Sequence, residues 1–395
     1  MIKFKVEKRI HFIVVISVFL FSSIFTFFIK GNNLLANERL AITPGQKGIK
    51  TIVRAKIRNV ILYSSVSQAI NKVVDHESYQ VRKRIESLAI DLSHNAKIAL
   101  KDVGYKNGKI YYNFSSKIYK LKLMEQFALI DSLLQIGGRI NGAKTGYFLI
   151  NGRKAKLSSY INFKSPFRVR RGPAKVAIII DDFGNRAAGT DEILKLEQKI
   201  TCAILPFKET STEEAREIKE NGFDVIVHLP MESEKGKLSW LGSKPILTSL
   251  STKEIKSRVQ EAIIDIPTAI GFNNHTGSKA TANKRVMEAI LKVAKSNNLI
   301  AIDSRTTSKS VVGQLANKLE VPYLERDVFL DNKKDYGDIR KNLLLLVAHA
   351  IKEGQAIGIG HVGPHGGRIT FSVLSKILPS LDKIGIKFVG ISDLI

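Results

Sequence analysis

Two adjacent carboxylates, Asp181 and Asp182, stand at the end of an apolar run in the stretch VAIIIDDFG (176–184). Neighbouring carboxylates repel, so folding alone gives little reason to place two together, and a metal ion or a bound proton would relieve the repulsion. A helix cap beside a solvated aspartate is the structural alternative. Further along, His228-Leu229-Pro230-Met231-Glu232, Asn273-Asn274-His275-Thr276-Gly277-Ser278, Asp303-Ser304-Arg305, His361 and Ser392-Asp393 each follow a short apolar run. One carboxylate with two imidazoles suits Zn²⁺ or a similar divalent ion that keeps a position open for water. Such an ion lowers the pKa of bound water and polarises a carbonyl. A second carboxylate then serves as general base and a separate histidine as general acid. These parts point to metal-assisted hydrolysis. No phosphate loop competes, because GIGHVGPHGG lacks the Lys-Ser/Thr that such a loop needs.

Each residue also has a structural reading. Asp303 with Arg305, and Arg326 with Asp327, would orient the reacting groups or serve equally as buried ion pairs. Asn273, Asn274 and Ser278 are ordinary turn residues, or donors to sugar hydroxyls. The chemical reading gains from repetition at the same end of successive strands. His349 is the contrast: it lies mid-helix in NLLLLVAHAIKEG and receives no role. His365 falls in a glycine-rich loop, His11 ends an apolar run, and His76 and His94 lack partners at metal spacing.

The elements that must position these groups alternate regularly after Ala174. Strand-like runs cover 176–180, 201–205, 224–228, 269–273, 299–303, 356–360 and 387–392, with helix-like segments between them. Ser211 with Glu214, and Ser251 with Glu254, have capping-box spacing. Such alternation implies right-handed βαβ units and a parallel sheet. Seven strands within residues 174–395 suit a closed or nearly closed (β/α) barrel.

The front of the chain differs. Residues 1–173 hold 31 Lys+Arg against 9 Asp+Glu, a net of +22 out of the +26 total. A surface of that charge favours anionic partners, here the membrane rather than nucleic acid. His11–Ile29 has no charged residue and follows Lys3, Lys5, Lys8 and Arg9. It is long enough to span a bilayer core, with the N-terminus inside and the remainder exported. A cleaved secretory signal is the rival reading. Residues 1–30 are thus an anchor or signal, 31–163 a basic membrane-proximal α+β region, and 164–173 a basic linker. Cys202, the single cysteine, excludes a disulfide within the chain and reads as a buried small hydrophobe.

IIIDDFG, HLPME, NNHTGS, IDSRT, RDVFLDN and IGIGH, in this order, resemble the divergent polysaccharide deacetylases, a bacterial branch of the carbohydrate esterase superfamily. The resemblance covers residues 174–395. It implies a deformed (β/α) barrel, a divalent metal that is usually zinc, and removal of acetyl groups from a polysaccharide. Carried over, Asp181 is the base, Asp182 and His228 are metal ligands, and His361 is the general acid. The superfamily's second imidazole, four residues after the first, is replaced here by Glu232. His275 is the first choice to complete the ligand set and Glu232 the second. The anchor reading of residues 1–30 places the barrel in the periplasm or outside, tethered to the bacterial inner membrane, and the signal reading has it secreted after cleavage. A non-catalytic envelope glycan-binding protein on the same scaffold is the alternative, and a metal hydrolase of another amide or ester the third reading.

Overall fold

The computed structural model describes residues 100–395. The expected anchor or signal at 1–30 and residues 31–99 of the basic membrane-proximal region lie outside them. Among the described residues no helix is long and apolar enough to cross a membrane.

Leu100–Lys106 (β1) and Lys109–Phe114 (β2) form an antiparallel hairpin. Its two-residue turn is Asn107-Gly108, with φ of 49° and 74°, the left-handed pair that Asn-Gly supplies at little cost. Leu123–Gly137 (α1) follows, then Thr145–Ile150 (β3), parallel to β2, and Phe167–Arg168 (β4), antiparallel to β3. Tyr112, Phe114, Phe127, Phe148 and Phe163 fill the core of this small α+β module, with Tyr112–Phe148 and Phe148–Phe163 rings stacked at 5.0 and 5.2 Å.

The segment expected as a linker is ordered into this module. In FRVR the apolar residues alternate, so Phe167 and Val169 are buried and the basic composition masks a strand. Arg170 then fastens the module to the barrel. Its guanidinium pairs with the buried Asp131 and donates to the Ile351 carbonyl at 2.9 Å, while Asp131 Oδ1 also accepts from Ala174 N at 3.2 Å. Arg170→Ala would strand a buried carboxylate, and a loss of about 3 kcal/mol is expected in urea unfolding. A change below about 1 kcal/mol would show the pair to be dispensable.

The barrel runs through Lys175–Phe183 (β5), Thr190–Ile193 (α2), Thr201–Ile204 (β6), Ser211–Glu220 (α3) and Asp224–Met231 (β7). Thr252–Asp265 (α4), Gly271–Thr276 (β8), Lys284–Ser296 (α5), Ile300–Asp303 (β9) and Val312–Leu319 (α6) come next. Tyr323–Glu325 (β10), Val328–Phe329 (β11), Tyr336–Glu353 (α7), Gln355–His361 (β12), Gly367–Lys383 (α8) and Lys387–Val389 (β13) complete it. The strand order is β10-β9-β8-β7-β6-β5-β12-β11, with β13 against the first half of β5, and every pairing is parallel.

Seven strands are expected and nine are present. The additions, β10 and β11, lie in the strand-like stretch YLERDVFLD (323–331) and are short, three and two residues. They come from one extended stretch whose first half pairs with β9 and whose second half pairs with β12. Between them Arg326 N donates to Asp303 O at 3.0 Å and Asp327 N to Ile357 O at 2.8 Å. The two ends of the sheet are therefore joined by chain continuity rather than by a ladder, which is the deformation of the barrel. Ala177, Ile179, Ala203, Ile226, Ile302, Ile357 and Ile359 pack inside it. Val176, Ile178 and Ile180, the alternate residues of β5, belong to the larger core that the helices cover. Cys202 is buried there.

Candidate active site

Period-two alternation along β5 sends Ala177 and Ile179 into the barrel, and Asp181 follows them at its mouth. Asp182 would ordinarily face the helices. A bulge prevents this: four residues of β5, Ile180 to Phe183, span three of β6, Cys202 to Ile204. Asp182 takes a left-handed φ of 73° there, a conformation that aspartate tolerates better than most residues. Both carboxylates thereby reach one centre.

His228 on β7 and His275 on β8 meet them. His228 Nε2 lies 3.4 Å from Asp182 Oδ1, His275 Nδ1 lies 3.3 Å from the same oxygen, and the two nitrogens are 2.9 Å apart. Ligand bonds of ~2.0–2.1 Å in a tetrahedral set would hold donor atoms about 3.3 Å apart, so this triangle fits one face of such a site. Asp182 Oδ1 is buried without a hydrogen-bond partner, an arrangement a cation would satisfy. The residues present therefore fit a divalent ion.

Asn273 orders the remaining polar atoms. Its Oδ1 is 2.6 Å from His228 Nδ1 and its Nδ2 donates to Asp181 Oδ1 at 2.8 Å. An acceptor at Nδ1 requires the proton on that nitrogen, which leaves the Nε2 lone pair facing Asp182 and His275. Burial and the adjacent Asp182 charge raise the Asp181 pKa, against the opposing pull of His228, His361 and the Asn273 bond. Burial also opposes the Asp182 anion, yet the imidazoles of His228 and His275 hold it well below the usual carboxylate range.

His361 is the register partner of Asp181 across the β5–β12 ladder. Its Nδ1 bonds Asp331 Oδ1 at 2.8 Å, while Asp331 Oδ2 accepts from His361 N at 2.7 Å and from Thr370 Oγ1 at 2.8 Å. Burial disfavours the imidazolium, but Asp331 and the charges of Asp181 and Asp182 outweigh it and push His361 up to about 9. Gly366 makes room for this arrangement, since a Cβ there would lie 2.1 Å from Asp331 Oδ2. Asp181, Asp182, His228, His275 and His361 line a cleft of ≈ 250 Å³ with Asn274, Ser304, Thr306, Phe329, Asn332 and His365.

The other expected site residues do different work. Glu232 is not at the centre: its carboxylate accepts from Thr248 N and Oγ1 at 2.6 Å each and pairs with Lys279 at 2.7 Å. Glu232→Gln should therefore leave metal content unchanged, as elemental analysis would check; loss of the ion would return Glu232 to the ligand set. Asn273 and Asn274 are buried; Asn273 spends its amide on His228 and Asp181, and Asn274 spends its amide on the fold. Asn274 Oδ1 accepts from Ser304 N at 2.9 Å. Ser278 accepts from Glu234 N at 2.9 Å, outside the cleft. Asp303 holds its own loop, accepting from Arg305 N at 2.8 Å and Ser310 Oγ at 2.6 Å. Arg305 reaches Glu325 at 3.7 Å. Arg326 lies 3.7 Å over the Phe329 ring, and Asp327 accepts from Ile357 N at 2.7 Å. Asp331, Phe329 and His365 were not singled out from sequence. For Asp331 a signal existed, its place directly after the strand-like VFL.

Comparison with known proteins identifies the family of the barrel. The family model described as divergent polysaccharide deacetylase matches residues 178–395, and the chain belongs to that family. An uncharacterized protein of Haemophilus influenzae is 32% identical over 221 residues, covering 56% of this chain and 76% of that one. The uncharacterized protein YibQ of Escherichia coli K12 is 30% identical over 207 residues, covering 52% of this chain and 64%, just under two thirds, of YibQ. Among solved structures, the uncharacterized protein ATU2773 of Agrobacterium tumefaciens C58 shares the fold. Its TM-score is 0.53 at 21% identity, over 56% of this chain and 89% of that one.

Proposed function

We propose that the barrel is a metal-dependent hydrolase that removes acetyl groups from an envelope polysaccharide. The observation that carries this reading is the convergence of Asp182, His228 and His275, whose donor atoms lie within 4.8 Å of one another, beside a carboxylate and an imidazole that are not ligands. Those three residues would hold a divalent ion, for which two imidazoles and one carboxylate favour zinc; when bound it supplies a Lewis acid that polarises the acetyl carbonyl and activates water.

The chain's own groups supply the proton transfers. Asn273 occupies Asp181 Oδ1, so Oδ2 is the atom left to take a proton from the attacking water, and its raised pKa suits a base. Asp331 holds His361 protonated and engages Nδ1, leaving Nε2 to donate to the departing amine or alcohol. Phe329, Thr306 and Asn332 line the cleft around the reacting group. A volume of ≈ 250 Å³ suits an acetyl group and part of one sugar ring rather than a larger ligand, for which ~300–1,000 Å³ is usual. The apolar run His11–Ile29 and its cationic flank support tethering to the inner membrane with the barrel on the outer side.

The test is acetate release from acetylated glycans by the purified chain, with metal content measured on the same sample. About one ion per chain together with acetate release supports the reading. A retained ion without acetate release from any acetylated glycan would favour the non-catalytic glycan-binding alternative.

A further inference from the structure

The barrel leaves the preceding α+β module without a task, and one face of its sheet is built in an uncommon way. Tyr112, Phe114 and Phe148 turn into the module core, so the alternate residues form the other face. Register sets them in rows. Lys106 lies opposite Lys109, Lys109 opposite Thr145, and Thr145 opposite Arg168, which makes a row carrying three cations across all four strands. The next row is Gly104, Tyr111 and Tyr147. The two tyrosine rings stack at 5.2 Å and 19°, and Lys154 stands 5.6 Å over Tyr147. On the far side of Tyr111 there is only Gly104, where an added Cβ would meet nothing closer than Tyr111 Cβ at 4.0 Å. A glycine inside a strand weakens it and often marks the close approach of a ligand.

Charge selects the partner. Residues 100–173 hold 15 Lys+Arg against 3 Asp+Glu. Lys106, Lys109, Lys154 and Arg168 have no carboxylate partner among the described residues, and Arg170 is committed to Asp131. We infer that this face binds an anionic polysaccharide, one sugar ring stacking on Tyr111 above Gly104 while its acidic substituents meet Lys106, Lys109 and Arg168. The rows are two strand residues, about 7 Å, apart, within reach of a charged group on the stacked ring.

A lipid surface fits less well. Interfacial binding needs apolar side chains that enter the bilayer, and the aliphatic residue of the next row, Leu149, is half-buried. Single-stranded nucleic acid would use the same chemistry, but the tyrosines stack on each other and leave one free ring face rather than successive platforms. The choice of a glycan also rests on the deacetylase reading, since the module is fastened to that barrel. Its attachment precedes β5, at the end of the strand away from Asp181, so the role is to hold polymer near the enzyme and raise its effective concentration.

The test is affinity electrophoresis of the full chain in gels containing polygalacturonate, with neutral dextran as control. Retardation by polygalacturonate alone is expected. Gly104→Val should weaken it about tenfold by filling the slot with a strand-favouring residue. Lys106→Glu with Lys109→Glu should weaken it by at least about as much, with unchanged melting curves and unchanged acetate release from a small acetylated sugar. Equal retardation by dextran, no effect of Gly104→Val, or tighter binding to phosphatidylglycerol vesicles or a single-stranded oligonucleotide would overturn the proposal. Failure of the deacetylase reading would appear separately, as absent acetate release with retardation intact.

Discussion

His228→Ala is expected to release the bound ion and lower acetate release by ~10³-fold or more, whereas Asp181→Asn should keep the ion and lose a comparable factor. The contrast follows from position. His228 Nε2 faces Asp182 and His275 within 3.4 Å, so its loss removes one of three donors. Asp181 stands beside that triangle, its Oδ2 3.7 Å from His228 Nε2, and an amide there keeps the site's shape while removing the proton acceptor. Metal content and turnover, measured on both variants with a thermal melt as the folding control, check the assignment. Asp181→Asn losing its metal along with its activity would make Asp181 a ligand and leave the site without a separate base.

Asp331→Asn gives the second large effect, and it depends on pH. A general acid works while protonated. In the native chain His361 is pushed up to about 9, above the ordinary histidine value of about 6.5, so activity should persist through neutral pH and fall as pH rises through about 9. With asparagine at 331 the anionic partner is gone and the alkaline limb should move toward neutral pH, with about a tenfold loss at pH 8. The same shift bears on stability. A folded pKa above the unfolded one contributes stability that is fully present below the unfolded value and lost as pH rises through the folded value, so Asp331→Asn should cost most stability at and below neutral pH and progressively less as pH rises through about 9. A pH–rate profile whose alkaline limb does not move would show that Asp331 only supports the loop.

Much of this site could be read without coordinates because strand ends are legible. Apolar runs followed by polar residues placed Asp181, Asp182, His228, His275 and His361 at one mouth, and period two along β5 explains which residues line it. The bulge was not legible: nothing in IIIDDFG marks the extra residue that turns Asp182 inward, since aspartate fits both the strand and the left-handed conformation. Asp331 was passed over although it directly follows the strand-like VFL, in which β11 itself has only two residues. Asn273 looked like a turn residue, yet its carboxamide joins Asp181 to His228, a role that pairing across β7 and β8 reveals. The α+β module before the barrel was expected, but its last strand, inside the stretch expected as a linker, was not legible. In FRVR the charges dominate the composition, and only burial of Phe167 and Val169 shows a strand.

The most direct measurement is an anomalous difference map collected at the zinc edge from crystals of the full chain grown with zinc. One peak within about 2 Å of Asp182, His228 and His275, with Asp181 and His361 unbound beside it, is the predicted result. No peak at that triangle, or a peak held instead by Glu232, would contradict it.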